Sequence, residues 1–500
     1  METQDSQMPD GAVTILPIIG LEIHVELDTE TKMFCRCRNR FGDPPNTNVC
    51  PVCIGMPGVL PVMNGKAVEL AMTVGLALGC TVRKFTKWDR KSYYYPDLPK
   101  NYQISQYDLP LCEHGRLEVP LPEGEAKTVA ILRVHLEEDA GKNVHDNPTH
   151  TGVDLNRAGV PLLEIVSEPD MNSVQQVGAY ARAMQRLVRW LGASQANMQM
   201  GHMRFEPNIN LHITRDGVTY KTPIIEVKNL NSFRALESAV AYEIDRQTNE
   251  WQADNAFTLE NLGKQNRGYD DATGQTVFQR SKEEAHDYRY FPDPDLMPVI
   301  VSAQWRDRVA AGIGELPLAR RRRYMDDYKL TFKEADALTQ DAATGDLLEG
   351  ALEAGADAKR CVNLLLGRGA ALANERGCTI AEIGVSAGQL TDLAGMLTAG
   401  EINATSAAKV FDKLVDTDDG PQAIAAAAGL LAVTDTAEIE AWVDDAIAAN
   451  TQAVEEVRSG GKKQKKAFGF LMGQVMQKSR GAAQPGEVQR LLRQKLGLDG

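Results

Sequence analysis

The stretch Gly20-Leu21-Glu22-Ile23-His24-Val25-Glu26-Leu27 alternates strictly between apolar and polar side chains. Successive side chains of a strand point to opposite faces, so this pattern predicts a β-strand with one apolar face and one polar face. The polar face would carry Glu22, His24 and Glu26. A strand at the wet edge of a sheet gives the same alternation, so this stretch alone leaves an ordinary solvent-facing strand as an equal alternative.

Two further stretches place carboxylates within or directly after apolar runs. They are His135-Leu136-Glu137-Glu138-Asp139 and Pro161-Leu162-Leu163-Glu164-Ile165-Val166-Ser167. A buried carboxylate is costly unless it is paired, protonated or bound to a cation. An acidic turn at 137–139 and an ion pair between Glu164 and Arg157 are the structural alternatives. Together with His24, these acids indicate a site for a hard divalent cation such as magnesium or manganese.

The length, charge and apolar pattern of the chain limit its class. Its 500 residues are too many for one hydrophobic core, so about two to four domains are expected. The formal net charge of -14 argues against bulk electrostatic binding to nucleic acid, and any RNA contact must use a local basic surface. No apolar run approaches the roughly 20 residues that cross a bilayer. The acidic start, residues 1–12, lacks a signal-peptide pattern, so we expect a cytoplasmic protein without membrane contact.

Four of the eight cysteines are clustered in the pattern Cys35-x-Cys37, twelve residues, Cys50-x-x-Cys53. This spacing predicts a structural zinc knuckle over 35–53 with four thiolate ligands. Two unrelated thiol pairs in a loop are the alternative. A closed four-cysteine site has no open coordination position, so it would fix the fold without catalysing, and a zinc-dependent hydrolase is disfavoured for the same reason.

The periodicity changes along the chain. Residues 13–302 combine alternating runs with three stretches of helical spacing near 65–79, 173–191 and 232–251. Residues 303–428 are rich in Ala, Leu, Glu and Arg and almost free of strand patterning, and residues 429–500 are helical again. The pattern predicts an α+β fold with a mixed first domain, a helical second domain and a small helical tail.

The tail contains a basic segment, Lys462, Lys463, Lys465 and Lys466, which follows a flexible glycine pair. Lysines can neutralise the phosphates of RNA, so a contact with an RNA backbone is the functional interpretation. A solvated helical face explains the same composition equally well.

Another segment, residues 89–106, interleaves cations such as Lys91 with tyrosines. Such a segment can stack a base and hold phosphate, although a proline-bounded loop packed by its own tyrosines is nearly as consistent with the pattern. The chain has no GxxxxGK[ST] loop, no GxSxG elbow, no HExxH and no dinucleotide fingerprint. A bound nucleotide would therefore need acids and a metal to hold its phosphates.

Taken together, these segments resemble the family of aspartyl/glutamyl-tRNA amidotransferase B subunits. The resemblance runs from about residue 16 to the end, and its motifs are the stretches 20–27, 89–97, 135–142, 153–165, 228–232 and 287–292. It implies a cradle-like domain over 13–302, a helical domain over 303–428 and a tRNA-binding tail over 429–500. The family belongs to the carbon–nitrogen ligases that take their amide nitrogen from glutamine (class 6.3.5).

The activity that the resemblance implies is ATP-dependent transamidation. The side-chain carboxylate of misacylated Glu-tRNA(Gln) or Asp-tRNA(Asn) is phosphorylated, and ammonia from a separate amidase A subunit displaces the phosphate. A small C subunit would complete a heterotrimer. A non-catalytic tRNA-binding scaffold of the same complex is the alternative function.

The site residues carried over from the resemblance are few. The resemblance implies that His24, Glu138 and Glu164 ligate magnesium. It implies that Glu22 and Glu137 lie beside them, near the metal, ATP or ammonia. It also implies that Lys91 contacts a phosphate or the ammonia path. One departure lies at Met198-Gln199-Met200-Gly201, where many members of the family carry two acids. No acidic role is therefore carried onto Gln199 or Met200, and Glu206 is left without a role.

Overall fold

A computed structural model gives the fold and describes residues 13–121, 126–147, 149–281, 288–433, 436–461, 463–479 and 481–498. The chain divides into two compact units, with the division between Leu316 and Pro317. The first unit contains the strands and the second is helical, so the α+β prediction is confirmed.

The strands of the first unit range from 2 to 13 residues in length. They are β1 (Thr14–Glu26), β2 (Thr81–Val82), β3 (Phe85–Thr86), β4 (Asp89–Ser92), β5 (Tyr102–Ser105), β6 (Cys112–Pro120), β7 (Ala126–Glu138), β8 (Lys142–Asn147), β9 (His150–Asp154), β10 (Pro161–Ser167), β11 (Met203–Arg215), β12 (Val218–Lys221), β13 (Ile224–Lys228), β14 (Lys264–Asp270), β15 (Gln275–Ser281), β16 (Phe291–Pro292) and β17 (Val299–Ile300).

A ten-stranded sheet forms the frame of the first unit. Its order is β15-β14-β13-β11-β1-β10-β7-β6-β2, with β12 paired to β11. The pair β13–β14 is parallel, whereas β1, β10, β7 and β11 pair antiparallel. The strand that the alternation predicted, β1, lies at the centre of this sheet between β10 and β11. Its apolar residues Leu21, Ile23 and Val25 are buried.

Helices cover the apolar face of the sheet. The covering helices are α1 (Gly65–Ala77), α2 (Val174–Trp190) and α3 (Phe233–Ala253). The helix α4 (Leu259–Leu262), which has no buried residue, and the helix α5 (Ala303–Ala311) follow in the chain. Leu163 and Ile165 of β10, Tyr180 and Met184 of α2 and Leu236 of α3 belong to one continuous core. The predicted start of α2 is confirmed, because the Ser173 hydroxyl accepts a hydrogen bond from the Gln176 amide as its N-cap.

The second unit consists of helices. They are α6 (Pro317–Asp327), α7 (Phe332–Leu338), α8 (Ala342–Glu353), α9 (Ala358–Leu364), α10 (Ala370–Arg376), α11 (Ala387–Ala399), α12 (Ala404–Leu414), α13 (Pro421–Ala427), α14 (Thr436–Ala449), α15 (Thr451–Arg458), α16 (Gln464–Lys478) and α17 (Pro485–Leu496). One core runs from Tyr324 to Ala425 and a second from Ile439 to Leu496.

The helix α5 belongs to the first unit, beyond the boundary that we predicted at residue 302. Trp305 and Val309 pack against the core of that unit. The Trp305 indole donates a hydrogen bond of 2.8 Å to Glu69 of α1. The helical composition after residue 302 therefore marks the change from strands to helices. The first compact unit ends later, at Leu316.

Candidate catalytic and metal site

The polar face of the central sheet places titratable side chains next to one another. In the pairing register, His24 of β1 lies opposite Glu164 of β10, and Glu164 lies opposite His135 of β7. Directly opposite residues of paired strands point to the same face. Segments far apart in sequence therefore present their polar residues to one site, while the alternating apolar residues fill the core behind it.

The first group of possible ligands joins β1 and β10. His24 Nε2 lies 3.5 Å from Glu22 Oε1 and 3.5 Å from Glu164 Oε2. One ligand atom from each of Glu22, His24 and Glu164 falls within 4.8 Å of the others. This spacing allows the three side chains to bind one cation after small rotations.

The second group shares Glu164 with the first. His135 Nε2 lies 3.3 Å from Glu137 Oε1 and 3.7 Å from Glu164 Oε2. Ser105 and Gln103 of β5 donate hydrogen bonds of 2.5 and 3.0 Å to the two oxygens of Glu137. Glu137 is therefore held in place by neighbouring side chains on both oxygens.

The carboxylates affect the protonation of their neighbours. Burial and the charge of Glu164 raise the pKa of Glu22 to about 7. Burial by itself would lower the pKa of His24, but the hydrogen bond and charge of Glu164 outweigh it and raise that pKa to about 9. The charge of Glu164 therefore favours the protonated forms of both neighbours.

Glu164 itself is ionised. Burial would raise its pKa, but the charges of His135 and His24 outweigh this and hold the pKa well below the ordinary value. Arg133 of β7 adds a cation 3.6 Å from the other oxygen of Glu164. Glu164 thus lies between two imidazoles and the Arg133 guanidinium, and it is shared by both groups of possible ligands.

Lys91 of β4 stands over this cluster. Burial alone would lower the pKa of its ammonium, but Glu137 is first among the charges that raise the pKa well above the ordinary value. The ammonium lies 5.1 Å from the centre of the Tyr288 ring, and Tyr290 stacks on Tyr107 at 4.2 Å. Of the cations in residues 89–106, Lys91 is therefore the one that faces Glu137 and Glu164 among the described contacts.

The structure does not place Glu138 with the other predicted magnesium ligands. Its carboxylate pairs with Lys100 and accepts a hydrogen bond of 2.9 Å from the Ile104 amide. The reason is the alternation of β7, which turns His135 and Glu137 to one face and Leu136 and Glu138 to the other. Glu138 belongs to neither group of possible ligands among the described residues.

Sequence reasoning missed a neighbouring set of charges. Glu206 of β11 lies opposite Glu22 in the register, and Lys228 of β13 bridges Glu206 at 2.5 Å and Glu226 at 2.8 Å. The signal that could have found Glu206 is its place in the alternation of residues 203–209, with Phe205 and Ile209 buried. The charged face of the sheet thus extends across β13, β11, β1, β10 and β7.

A cavity of about 530 Å³ opens beside Glu26. Its wall includes Lys142, Arg157 and the segment around Gln199 and Met200, where the sequence departs from the pattern of the family. Burial and the charge of Asp139 raise the pKa of Glu26 to about 8. Lys142 and Arg157 give this wall positive charge, which could contact an anionic group of a ligand.

The four clustered cysteines meet in space. Cys53 Sγ lies 3.6 Å from Cys35 Sγ, 3.7 Å from Cys50 Sγ and 3.8 Å from Cys37 Sγ. In a tetrahedron with metal–sulfur bonds of about 2.3 Å, neighbouring sulfurs are about 3.8 Å apart. The donor set and its spacing therefore fit zinc.

The basic segment of the tail lies at the start of α16. Lys463, Lys465 and Lys466 are exposed there, while Lys462 lies outside the described residues. The described part of the chain has no helix that is both long and apolar enough to cross a membrane.

A mixed sheet with a carboxylate–imidazole cluster on its polar face, followed by a helical unit, defines an α+β protein with a candidate cation site. Residues 17–307 match the family model described as the GatB/GatE catalytic domain, and residues 346–496 match the model described as the GatB domain. The chain belongs to the family of aspartyl/glutamyl-tRNA(Asn/Gln) amidotransferase B subunits, which confirms the resemblance inferred from the motifs.

Curated relatives of that family are similar over nearly the whole chain. The amidotransferase B subunit of Geobacter sulfurreducens is 45% identical over 96% of this chain and 98% of its own length. The relative from Myxococcus xanthus is 44% identical over 96% of this chain and 98% of its own length. The relative from Rhodopirellula baltica is 43% identical, with 96% of each chain covered.

Proposed function

We propose that this chain catalyses the ATP-dependent step of tRNA amidation, as the B subunit of a glutamine-dependent carbon–nitrogen ligase. The substrates are Glu-tRNA(Gln), Asp-tRNA(Asn) or both, and the products are Gln-tRNA(Gln) and Asn-tRNA(Asn). The observation that carries the proposal is the convergence of His24, Glu164 and His135, from three neighbouring strands, with Glu22 and Glu137. We place this reaction in the cytoplasm.

The chemistry has two steps. An oxygen of the substrate carboxylate attacks the γ-phosphorus of ATP, the bond to the β-phosphate oxygen breaks, and ADP leaves. The nitrogen of ammonia then attacks the acyl carbon, phosphate leaves with the carbon–oxygen bonding pair, and the nitrogen loses a proton to solvent or phosphate. Phosphoryl transfer needs positioning and charge neutralisation more than covalent help from the protein.

The donor set fits magnesium or manganese. Carboxylate oxygens with some imidazole nitrogen suit these ions, and Glu22, His24 and Glu164 offer both kinds of donor within 4.8 Å. His135 and Glu137 would support the ion from the β7 side. When bound, the ion would neutralise charge on the phosphates of ATP. Bonds to an ion would also compensate the burial and the repulsion from Glu164 that raise the pKa of Glu22.

Lys91 has a different task in this proposal. Its ammonium faces Glu137 and Glu164 from the strand above the sheet, and these charges keep it protonated. A permanent cation at that place can hold a phosphate oxygen as charge develops during transfer.

The cysteine cluster would hold zinc as a structural ion. The sulfur separations of 3.6 to 3.8 Å around Cys53 support this proposal. Four thiolates complete the coordination of the ion, so the cluster would fix the loop between Cys37 and Cys50.

The relatives carry the name of a subunit, and we infer the same partners for this chain. An amidase A subunit would release ammonia from glutamine, and a small C subunit would complete the complex. The exposed Lys463, Lys465 and Lys466 would contact tRNA phosphates together with Lys462.

The experiment is a reconstitution of the complex from this chain and its two partners. Glutamine, ATP and each misacylated tRNA are added in turn, and ADP and the aminoacyl products are measured. We expect Glu164→Gln to abolish ADP and amide formation while tRNA binding is retained. Glu168→Gln is the matched control, because Glu168 lies just beyond the same strand and in neither ligand group.

The scaffold alternative gives the opposite result. If this chain only binds tRNA, Glu164→Gln and Glu168→Gln will support amide formation equally, and replacement of the tail lysines will have the larger effect. Formation of amide without consumption of ATP would also contradict the proposal.

A further inference from the structure

The loop between the two cysteine pairs is joined to a distant turn of the same unit. The side-chain oxygen of Asn46 accepts a hydrogen bond of 2.8 Å from the Leu155 amide, and its Nδ2 donates one of 2.9 Å to the Val153 carbonyl. The Asn48 amide donates to Asn156 Oδ1 at 2.8 Å. Residues 153–156 are therefore hydrogen-bonded to the cysteine loop before the chain enters β10.

Lys32 lies beneath this contact. Its side chain is fully buried, with an exposed fraction of 0%. Its ammonium donates hydrogen bonds to Cys53 Sγ at 3.6 Å and to the Leu155 carbonyl at 3.3 Å. Lys32 thus touches both the cysteine cluster and the turn.

The charge of Lys32 needs a buried anion, because an unpaired ammonium in a protein interior is very costly. In the described part of the chain, no carboxylate forms an ion pair with Lys32, and the nearby Glu138 is paired with Lys100. Zinc with four thiolates has a net charge of about -2. The cysteine cluster, once loaded, is therefore the anion that this lysine requires.

The turn that Lys32 contacts is next to the carboxylate cluster. The Gly159 amide donates to the Asp139 carbonyl at 2.9 Å, directly after the β7 residues of the site. Arg157 lies 3.5 Å from the Asp139 carboxylate and donates to the Gly141 carbonyl at 2.6 Å. The turn then leads into β10, which carries Glu164.

We propose that Lys32 is a positioning residue that joins the four-cysteine zinc site to the turn at 155–159, through one hydrogen bond to a zinc-bound thiolate and one to the Leu155 carbonyl. The inference rests on zinc occupancy in the proposed function. It is independent of ATP use and of the magnesium site. Loss of the lysine would both weaken zinc retention and loosen the turn that precedes the carboxylate strand.

The test uses the zinc-loaded full chain and needs neither ATP nor tRNA. Zinc release to a coloured chelator and hydrogen exchange of the Ala158, Gly159 and Val160 amides are measured in Lys32→Met. We expect zinc release about tenfold faster or more, since outer-shell partners change metal affinity by about 10–100-fold. Exchange at the three amides should rise in the same variant.

Two control variants distinguish the effect of Lys32 from the effects of its neighbours. Asn46→Ala removes the asparagine contacts but leaves the lysine, so exchange at the Leu155 amide should rise while zinc release stays at the wild-type rate. Arg38→Gln removes an exposed cation near the cysteines and should change neither measurement. The inference is overturned if Lys32→Met releases zinc at the wild-type rate. It is also overturned if exchange at the Ala158, Gly159 and Val160 amides is unchanged in that variant.

The wild-type protein gives an independent measurement should Lys32→Met fail to fold. Removal of zinc by a chelator should speed exchange at Ala158, Gly159 and Val160, and unchanged exchange overturns the inference. A wild-type chain that retains no zinc after loading also overturns it. A chain that retains zinc and shows the expected exchange, but forms no amide, contradicts only the proposed enzymatic function.

Discussion

Glu164 is the residue on which both groups of possible ligands depend. Histidines on the two neighbouring strands contact the same oxygen of its carboxylate, His24 at 3.5 Å and His135 at 3.7 Å. A carboxylate in this position costs free energy unless cations compensate it. Here the imidazoles and Arg133 compensate part of this cost, and a bound divalent ion would compensate the remainder.

We expect Glu164→Gln to weaken manganese binding by about 100-fold or more, because it removes a full negative charge at ligand distance. Titration of the purified chain with Mn²⁺, followed by electron paramagnetic resonance, measures the free ion. Glu168→Gln should bind as the wild type does. Equal affinity in the two variants would remove Glu164 from the site.

Glu138→Gln should behave differently. It leaves the Lys100 ammonium, whose side chain is only 10% exposed, without its anion, so we expect a loss of about 3 kcal/mol in the free energy of unfolding. Manganese affinity should stay close to the wild-type value, since Glu138 lies on the other face of β7. Urea unfolding and the same manganese titration check both parts. A collapse of manganese affinity with intact stability would instead place Glu138 among the ligands.

The sequence predicts some of these residues better than others. His24 and Glu164 follow from alternation and from one carboxylate in an apolar run, and both lie in the cluster. Glu137 and Glu138 are adjacent, so the choice between them depends on which face each one occupies. Val134 and Leu136 are apolar, and both are buried. Because side chains alternate along a strand, these two residues would have assigned His135 and Glu137 to the opposite, polar face.

At the scale of elements, strand alternation and helix caps decide most boundaries. The helix α7 begins with a capping box in which Thr331 and Glu334 satisfy each other's backbone amides. Glu334 also pairs with Lys359 at 2.6 Å. The ion pair and the hydrogen bonds with Thr331 lower the pKa of Glu334 to about 2.

The sign of the pH dependence follows from that shift. The folded pKa of Glu334 lies below the ordinary value of 4.5, so its contribution is present above pH 4.5 and is lost as the pH falls toward 2. We expect Glu334→Gln to cost about 0.5 kcal/mol or less at pH 7, because the pair is exposed. Urea unfolding at several pH values should show this difference shrinking in acid.

Ser386→Ala is the control for charge. It removes an N-cap of α11 whose capping-box partner is the uncharged Gln389, and it should cost about 1 kcal/mol at every one of these pH values. A difference for Glu334→Gln that grows as the pH falls would contradict the assigned shift.

At the scale of the whole molecule, pairing between distant strands brings the site together. Short-range patterns predict the strands, the three long helices of the first unit and the helical character of the second. They do not give the order β11-β1-β10-β7, and therefore they could not place Glu206 beside Glu22. The domain boundaries at 302 and 428 remain predictions from the sequence. The structure shows two compact units, with the division between Leu316 and Pro317.

The basic tail provides a prediction at this scale. Replacement of Lys465 and Lys466 by Gln should weaken tRNA binding by the assembled complex and reduce the salt dependence, with the slope of log K against log salt smaller by about 1 to 2. Lys409→Gln with Lys413→Gln is the matched control, since both residues are exposed on α12. Equal tRNA affinity and salt slope in the two double variants would exclude the tail contact.

The most direct test of the central claim is anomalous diffraction at the manganese edge from crystals of the complex soaked in Mn²⁺ and an ATP analogue. We predict a peak within about 2.5 Å of ligand atoms of His24 and Glu164. Its absence there, with a peak elsewhere in the first unit, would contradict the assignment of the carboxylate–imidazole cluster as the catalytic cation site.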